Sequence, residues 1–347
     1  MRILVIGGTR FVGKHLAVAA LAAGHDVTLF HRGRTGANLF PGSTHLIGDR
    51  DTDLTALATG EWDATVDACA YVPRQVQQLA DALDGRGGHH LLVSSVSAYA
   101  DPPGPGADED SPLLELADPT VEEVTDETYG GLKALCERAA VDRHGDRTLL
   151  VRPTYVIGPD DYTWRFPWWV ARLARGGEVL VPGPPEGPAQ VVDGRDMGAW
   201  MVALLEQGAG GAFHAVGPSA TFTWRDQVAA IADVVAPPGT VLTWVDREFV
   251  LDQGLPSGSL PLWSGEDDGQ AWVMAMEPAK ALSTGLKLRP LAATVGDTLA
   301  WTRTVEQPPD AGLDPTREAA VLTAWHARRG QSGARRARPG FRGPPTG

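Results

Sequence analysis

The chain opens Met1-Arg-Ile-Leu-Val-Ile-Gly-Gly-Thr-Arg-Phe-Val-Gly13. Ile3 to Ile6 form an unbroken apolar run, the pattern of a parallel strand buried on both faces. Gly7 and Gly8 end it. From Val12 apolar residues recur at helical spacing through Leu16, Ala19, Ala20 and Ala23, and Gly24 stands where a helix stops. A strand, a glycine turn and a helix start make an anion site, because the unpaired N–H groups and the helix dipole face a phosphate together. Gly7 and Gly13 have the spacing of the outer glycines in a Gly-x-x-Gly-x-x-Gly loop, with Arg10 in the middle place. Between a strand and a helix, such a loop predicts a dinucleotide site. Gly7, Gly8, Thr9, Arg10, Phe11, Val12 and Gly13 would then form its phosphate-binding turn.

Asp26-Val-Thr-Leu-Phe30 reads as the second strand. A site for NAD usually has an acid at this strand's tip, about 20 residues past the glycines, to hold the ribose hydroxyls. Here the tip reads Phe30-His31-Arg32-Gly33-Arg34 and has no acid. Two guanidiniums suit a 2′-phosphate, since each presents several fixed donors. Residues 1–34 carry a net charge of +4, whereas the chain is at −13. NADP is therefore the expected cofactor and NAD the alternative, with Arg32 and Arg34, and Arg10 near them, around the expected 2′-phosphate position.

Strand signals at 2–6, 26–30, 44–47, 64–68, 90–94 and 148–152 alternate with helix signals at 12–23, 52–58, 73–83 and 129–143. That alternation predicts an α/β fold with a doubly wound parallel Rossmann sheet. After Pro153 the sequence turns rich in Pro, Gly and Trp. The expected organisation is a dinucleotide-binding domain over 1–155, to which 190–215 returns, with a helix from Asp193 to Leu205. Residues 156–189 and 216–305 would form a smaller mixed α/β substrate-binding cap. A C-terminal helix over 306–327 and a disordered basic tail over 328–347 would follow.

Leu91-Leu-Val-Ser94-Ser95 is a strand ending in two hydroxyls, and in open parallel sheets ligands sit at the carboxyl ends of strands. Tyr129-Gly-Gly-Leu-Lys133 puts a phenol and an ammonium on one helical face. A free phenol has a pKa near ~10, so a base acting near neutrality needs a drop of roughly 3 units, about 4 kcal/mol. One ammonium ~5 Å away at an effective dielectric near 20 supplies about 3 kcal/mol. Tyr-x-x-x-Lys arises often by chance, so its meaning comes from what surrounds it.

Taken in order, the glycine loop, Ser94-Ser95, Tyr129-x-x-x-Lys133 and Arg152-Pro-Thr-Tyr-Val-Ile-Gly-Pro159 resemble the short-chain dehydrogenase/reductase superfamily. The resemblance is to its extended branch, the NAD-dependent epimerase/dehydratase-like group, and covers about residues 1–305. It implies that Ser95, Tyr129 and Lys133 are the catalytic set. It also implies that Asp49 and Arg50 lie at the adenine, and that Cys69, Ala70, Tyr71 and Ser94 line the cofactor. Pro153, Thr154, Tyr155 and Val156 would stand beside the nicotinamide. Arg10 departs from the pattern, standing where a glycine normally lets the loop approach the pyrophosphate; atypical members with this opening include RNA-binding ones. The expected activity is reduction of a carbonyl, or oxidation of an alcohol, on a small, bulky or aromatic metabolite by hydride transfer. The alternatives are an epimerase or dehydratase of the nucleotide-sugar type that retains its cofactor, and a non-catalytic cofactor- or RNA-binding member.

Around Arg165, the residues Tyr162, Trp164, Phe166, Trp168 and Trp169 suit either an aromatic substrate wall or the cap's own core. Ser97, Tyr99, Arg165 and Trp168 are the substrate candidates. Beyond Arg165, only Arg172, Arg175 and Arg195 offer charge for a sugar-nucleotide diphosphate.

Composition bounds the rest. Two cysteines, Cys69 and Cys136, give neither a disulfide framework nor a cysteine metal cluster. His89-His90 lack partners at ligand spacing and read as a strand edge, so no metal is expected. No apolar run is long enough to span a membrane. A first strand at residue 3 leaves no room for a signal peptide, and a cytoplasmic protein is the expectation. The segment 101–128 holds ten acids and no Lys or Arg, and reads as a solvated loop or a lid. Six arginines and no acids lie in 328–347, which leaves the preceding body at −19, a charge that repels nucleic acid. A small-molecule substrate is the expected partner, with a homodimer left open.

Overall fold

The computed structural model describes all residues except 37, 101–105, 219–220, 256–257, 264–272 and 337–347. In chain order its elements begin β1 (Arg2–Ile6), α1 (Phe11–Ala22), β2 (Asp26–His31), β3 (Thr44–Ile47), β4 (Ala64–Asp67), α2 (Pro73–Leu83), β5 (His89–Val93), α3 (Tyr129–His144) and β6 (Thr148–Pro153). They continue with β7 (Tyr155–Ile157), α4 (Arg165–Arg175), β8 (Glu178–Pro182), β9 (Val191–Asp193), α5 (Gly194–Glu206), β10 (Gly211–Ala215) and α6 (Trp224–Val235). The last are β11 (Val241–Val245), α7 (Arg247–Asp252), α8 (Ala279–Ser283), α9 (Leu291–Thr302) and α10 (Pro315–Arg336).

Seven strands form one sheet in the order β10-β6-β5-β4-β1-β2-β3. Every pairing in it is parallel. The chain winds from β1 outward to β3, then crosses back to β4 beside β1. The strand order therefore reverses between β1 and β4, and a crevice opens there at the carboxyl ends. Ile3, Leu4, Val5 and Ile6 are all buried because both sheet faces are covered, which is why they read as a continuous apolar run. On one face α5 packs against α1 and brings Met197, Trp200, Met201 and Leu204 onto Leu16 and Ala20. On the other, Leu92 meets Cys136, Ala139 and Ala140 of α3.

A second core lies in the cap. Phe166, Trp168, Trp169 and Leu173 of α4 join Val228 and Ile231 of α6, Val295 of α9, and Val321 and Trp325 of α10. The parallel pair β8 and β11 packs into it. Arg172 and Glu318 are both buried here and ion-paired at 2.6 Å, so the last helix is fastened to α4.

Several expectations change. The helix read over 52–58 is one short 3-10 turn at Thr55–Leu57, after a tight turn in which Asp49 and Asp53 pair across the backbone. The C-terminal helix begins at Pro315, not 306, and extends through Arg336 into the stretch read as disordered; residues 337–347 lie outside the described residues. His89 and His90 start β5, an interior strand and not an edge. The acidic segment, described from residue 106, is fastened in place. The Ala100 N–H donates to the Pro112 carbonyl and the Leu114 N–H to the Ala98 carbonyl, Glu109 accepts from the His214 N–H at 2.9 Å, and Glu122 pairs with Arg74.

Candidate active site

The strand ends at the reversal point form a cleft of about 1720 Å³ that runs from the glycine loop to the cap. Gly7 has φ +84, and a Cβ there would lie 2.8 Å from Cys69 Sγ. A Cβ on Gly13 would lie 2.4 Å from the Gly7 carbonyl. Both glycines therefore let β1, the loop and α1 close on one another. Arg10 is the N-cap residue of α1, and its side chain makes no capping bond, so the helix's first amides keep their donors. Thr9, Phe11, Val12 and Gly13 also line the cleft.

At the tip of β2 the Gly33 N–H donates to His31 Nδ1 at 3.0 Å, and His31 Nε2 lies 2.8 Å from His45 Nδ1. Since Nδ1 accepts, the ring proton is assigned to Nε2. Burial, and then His45, hold His31 below the usual histidine range and keep it neutral. This fixes the loop that carries Arg32 and Arg34. Both arginines line the cleft, and neither forms an ion pair among the described residues.

Asp49 and Arg50 follow β3 into the same cleft. Arg50 donates two hydrogen bonds to the fully buried Asp67, at 2.6 and 2.9 Å, and one to Cys69 Sγ at 3.3 Å. Burial alone would raise Asp67, but Arg50 overrides it and holds the carboxyl below its ordinary value. The Arg50 guanidinium therefore braces the floor of the cleft.

Cys69, Ala70 and Tyr71 leave β4. Burial, followed by the neighbouring Tyr162 and Tyr129 hydroxyls, pushes the Tyr71 phenol up. Lys133 is buried and donates to the carbonyls of Ala70 at 2.9 Å and Val93 at 2.6 Å. An ammonium has three donors, so one remains for a ligand. Ser95 follows β5; its hydroxyl donates to Ser97 Oγ at 3.1 Å and accepts from the Ser97 N–H at 3.1 Å. Tyr129 is the first residue of α3, whose next residue touches this turn: a Cβ on Gly130 would lie 2.1 Å from the Ser97 carbonyl. Ser95, Tyr129 and Lys133 thus face one cleft, as do Pro153, Thr154, Tyr155 and Val156 from the end of β6 into β7. Ser94 Oγ and Thr154 Oγ1 are buried in its wall without a partner among the described residues. Two orphaned hydroxyls beside an unused ammonium donor fit a polar ligand lying along the strand ends.

Of the substrate candidates, Trp168 lies off the cleft, and Tyr99 lines it with its hydroxyl already engaged. The Tyr99 side chain is buried, and its hydroxyl lies 2.6 Å from His214 Nε2 and accepts from Arg152 Nη1 at 2.6 Å. Through Arg152 it is tied to buried Glu137, so the hydroxyl is held toward the interior at the edge of the cleft. Trp168 is 1 % exposed and packs edge-to-face on Trp169 in the cap core. Arg165 and Ser97 stay on the cleft. Arg172 is held by Glu318, and Arg195 by Asp193 and Asp297, so neither is free for a substrate phosphate. Arg317 takes a place that the sequence reading did not assign. It reaches the cleft from α10, more than 150 residues away from Arg165, and no local pattern marks it. No group of three or more His, Cys, Asp or Glu able to hold a metal occurs among the described residues. None of their helices is long and apolar enough to cross a membrane.

Residues 3–80 match the NAD dependent epimerase/dehydratase family. The chloroplast stem-loop binding protein of 41 kDa b of Arabidopsis thaliana is 27 % identical over 197 residues, 52 % of this chain and 49 % of that protein. The chain thus spans about half the length of that relative. A putative epimerase from Burkholderia cenocepacia superposes with a TM-score of 0.66 at 22 % identity, over 88 % of this chain and 98 % of that one. UDP-glucuronic acid 4-epimerase from Bacillus cereus, solved in complex with NAD, gives 0.60 at 16 % identity, over 88 % and 99 %. The fold is that of these solved structures, and the match to the NAD dependent epimerase/dehydratase family is confined to residues 3–80.

Proposed function

We propose that this chain is an epimerase- or dehydratase-type enzyme that retains a nicotinamide dinucleotide, preferentially NADP, and acts on a nucleotide-sugar-like substrate. The observation that carries the reading is the cleft itself. Ser95, Tyr129 and Lys133 meet in a space of about 1720 Å³, well beyond the ~300–1,000 Å³ of a pocket for one small ligand. It has room for a dinucleotide and a second molecule of comparable size. Arg165 and Arg317 line its cap end and suit the diphosphate of such a molecule.

The cofactor, when bound, supplies a hydride acceptor and donor. Gly7 to Gly13 present amides to its pyrophosphate, Arg32 and Arg34 face a 2′-phosphate, and the third Lys133 donor is left for the nicotinamide ribose. Tyr129 takes or returns the proton at the substrate oxygen. Ser95 turns its hydroxyl from Ser97 to the same oxygen and fixes its place. The comparisons favour this reading over net carbonyl reduction. The acidic body supports no nucleic-acid partner.

The test is spectroscopic. The purified full chain is assayed with UDP-sugars while nicotinamide absorbance is followed. A bound cofactor that survives turnover, with product formed and no net change in free NADPH, supports the proposal. Stoichiometric consumption of added NADPH with a carbonyl substrate would replace it with the reductase reading.

A further inference from the structure

Arg10 stands where a glycine would let the loop approach a phosphate, and its side chain has a definite destination. The guanidinium carbon lies 3.7 Å from the centroid of the Tyr162 ring. Tyr162 belongs to the turn between β7 and α4, which carries the chain from the sheet into the cap. Although 45 % exposed, this ring is well held. Phe11 packs edge-to-face on it at 6.4 Å. Lys14 pairs with Asp160 at 2.7 Å, and His15 Nε2 lies 2.9 Å from the Pro159 carbonyl. The turn is also strained: Asp160 has φ +66 and Trp164 φ +55, left-handed values that non-glycine residues avoid. Buried Asp161 holds it there by accepting from the N–H groups of Thr163 at 3.0 Å and Phe166 at 3.4 Å. Such strain persists only where the surroundings over-determine it, and it gathers at ligand clamps.

We infer that Arg10 and Tyr162 form a clasp over the pyrophosphate of the bound dinucleotide. This rests on the dinucleotide reading above and extends it to how the cofactor is retained. Tyr162 is a positioning residue: its ring holds the guanidinium at the amino end of α1. The diphosphate then meets a placed cation as well as helix amides. Because Tyr162 sits on the cap side and Arg10 on the sheet side, dinucleotide release requires this contact to open.

The experiment measures NADPH dissociation from the full chain by stopped-flow fluorescence. An exposed cation–π contact shifts an equilibrium by about two- to five-fold, so Tyr162→Ala should speed release by that factor. Tyr162→Phe, which keeps the ring, should stay within about two-fold of the native rate. Arg10→Gln should speed release at least about ten-fold, the scale of a lost charged hydrogen bond. Adding Tyr162→Ala to Arg10→Gln should change little more, since the ring acts through the arginine. The melting temperature without NADPH should be unaltered in Tyr162→Ala, which separates the clasp from a merely structural ring. Unchanged release from Tyr162→Ala, or additive effects in the double variant, would overturn the clasp alone. Native protein that binds neither NADPH nor NADH would overturn the cofactor reading and the clasp with it.

Discussion

Tyr129 is the residue on which the chemistry turns. Tyr129→Phe keeps the ring and removes the hydroxyl. Cofactor affinity should therefore hold while turnover falls by the ~10² to 10⁴-fold typical of a general acid–base step. Steady-state kinetics beside an NADPH titration checks this, and an active variant would dismiss the assignment. Lys133→Ala should lower both turnover and affinity, because the ammonium ties Ala70 to Val93 and faces the cleft. Arg32 offers a separate test of cofactor choice. NADPH should bind more tightly than NADH, and Arg32→Asp should narrow or reverse the difference. Equal affinities by calorimetry on the native chain would remove the 2′-phosphate reading. These residues were legible in sequence because each sits beside a local signal: a strand end, a helix start or a glycine turn. The place of Arg317 and the contact between Tyr162 and Arg10 were not, because Arg317 bonds the Gln253 carbonyl 64 residues away and Tyr162 meets Arg10 from the far side of the sheet sequence. The hydrogen bonds of Tyr99 were not legible for a related reason. Its partner His214 belongs to the edge strand β10, and nothing near Tyr99 announces that pairing.

At the scale of elements, β5 and α3 meet in a feature unrelated to catalysis. His90 and His144 stack with centroids 4.2 Å apart and planes 10° from parallel. Neither His90 nitrogen has a partner among the described residues, and burial pushes its pKa down to about 3; burial likewise takes His144 to about 4. Both folded values lie below the ~6.5 of an unfolded histidine, so the unfolded chain binds protons first as pH falls. The neutral pair is fully compatible with folding above about pH 6.5. Stability should decline from there toward pH 4, by roughly 1.4 kcal/mol per pH unit for each histidine concerned. Urea unfolding at pH 7 and pH 5 measures the slope. His90→Leu removes an unpaired buried polar group and should flatten it, with little loss at pH 7. An unchanged slope in His90→Leu would place the acid sensitivity elsewhere. The strands and helices through β6 were readable because their apolar periods are local. The segment 52–58 was not, since Asp49 to Asp53 close a tight turn where the pattern suggested a helical stripe.

At the scale of the whole molecule, two cores share one cleft. The sheet core is assembled from consecutive units, and its sequence shows it. The cap core draws on α4, α6, α9 and α10, spread from residue 166 to 325, so no window of sequence contains it. For that reason the aromatic cluster after Tyr162 allowed both a substrate wall and a core. The structure divides the two roles within one helix: Trp168 points into the core, and Arg165, three residues before it, lies on the cleft. Gly312 presses on the Trp168 indole, where an added Cβ would lie 2.1 Å from Nε1, so the ring also seats the segment leading into α10. Trp168→Ala should accordingly cost ~3 to 5 kcal/mol of stability, the usual loss for a large buried ring. Because that segment and α10 bring Leu313, Asp314 and Arg317 to the cleft, the same variant should also weaken substrate binding. Arg165→Ala should raise the Michaelis constant and leave the melting temperature and NADPH affinity as they are, since the arginine is exposed and forms no ion pair among the described residues. Thermal shift with and without NADPH, beside steady-state kinetics, separates the two. A kinetically silent Arg165→Ala would detach the cap's cation from the substrate. A stable Trp168→Ala would mean that the cap holds together without the ring at its centre.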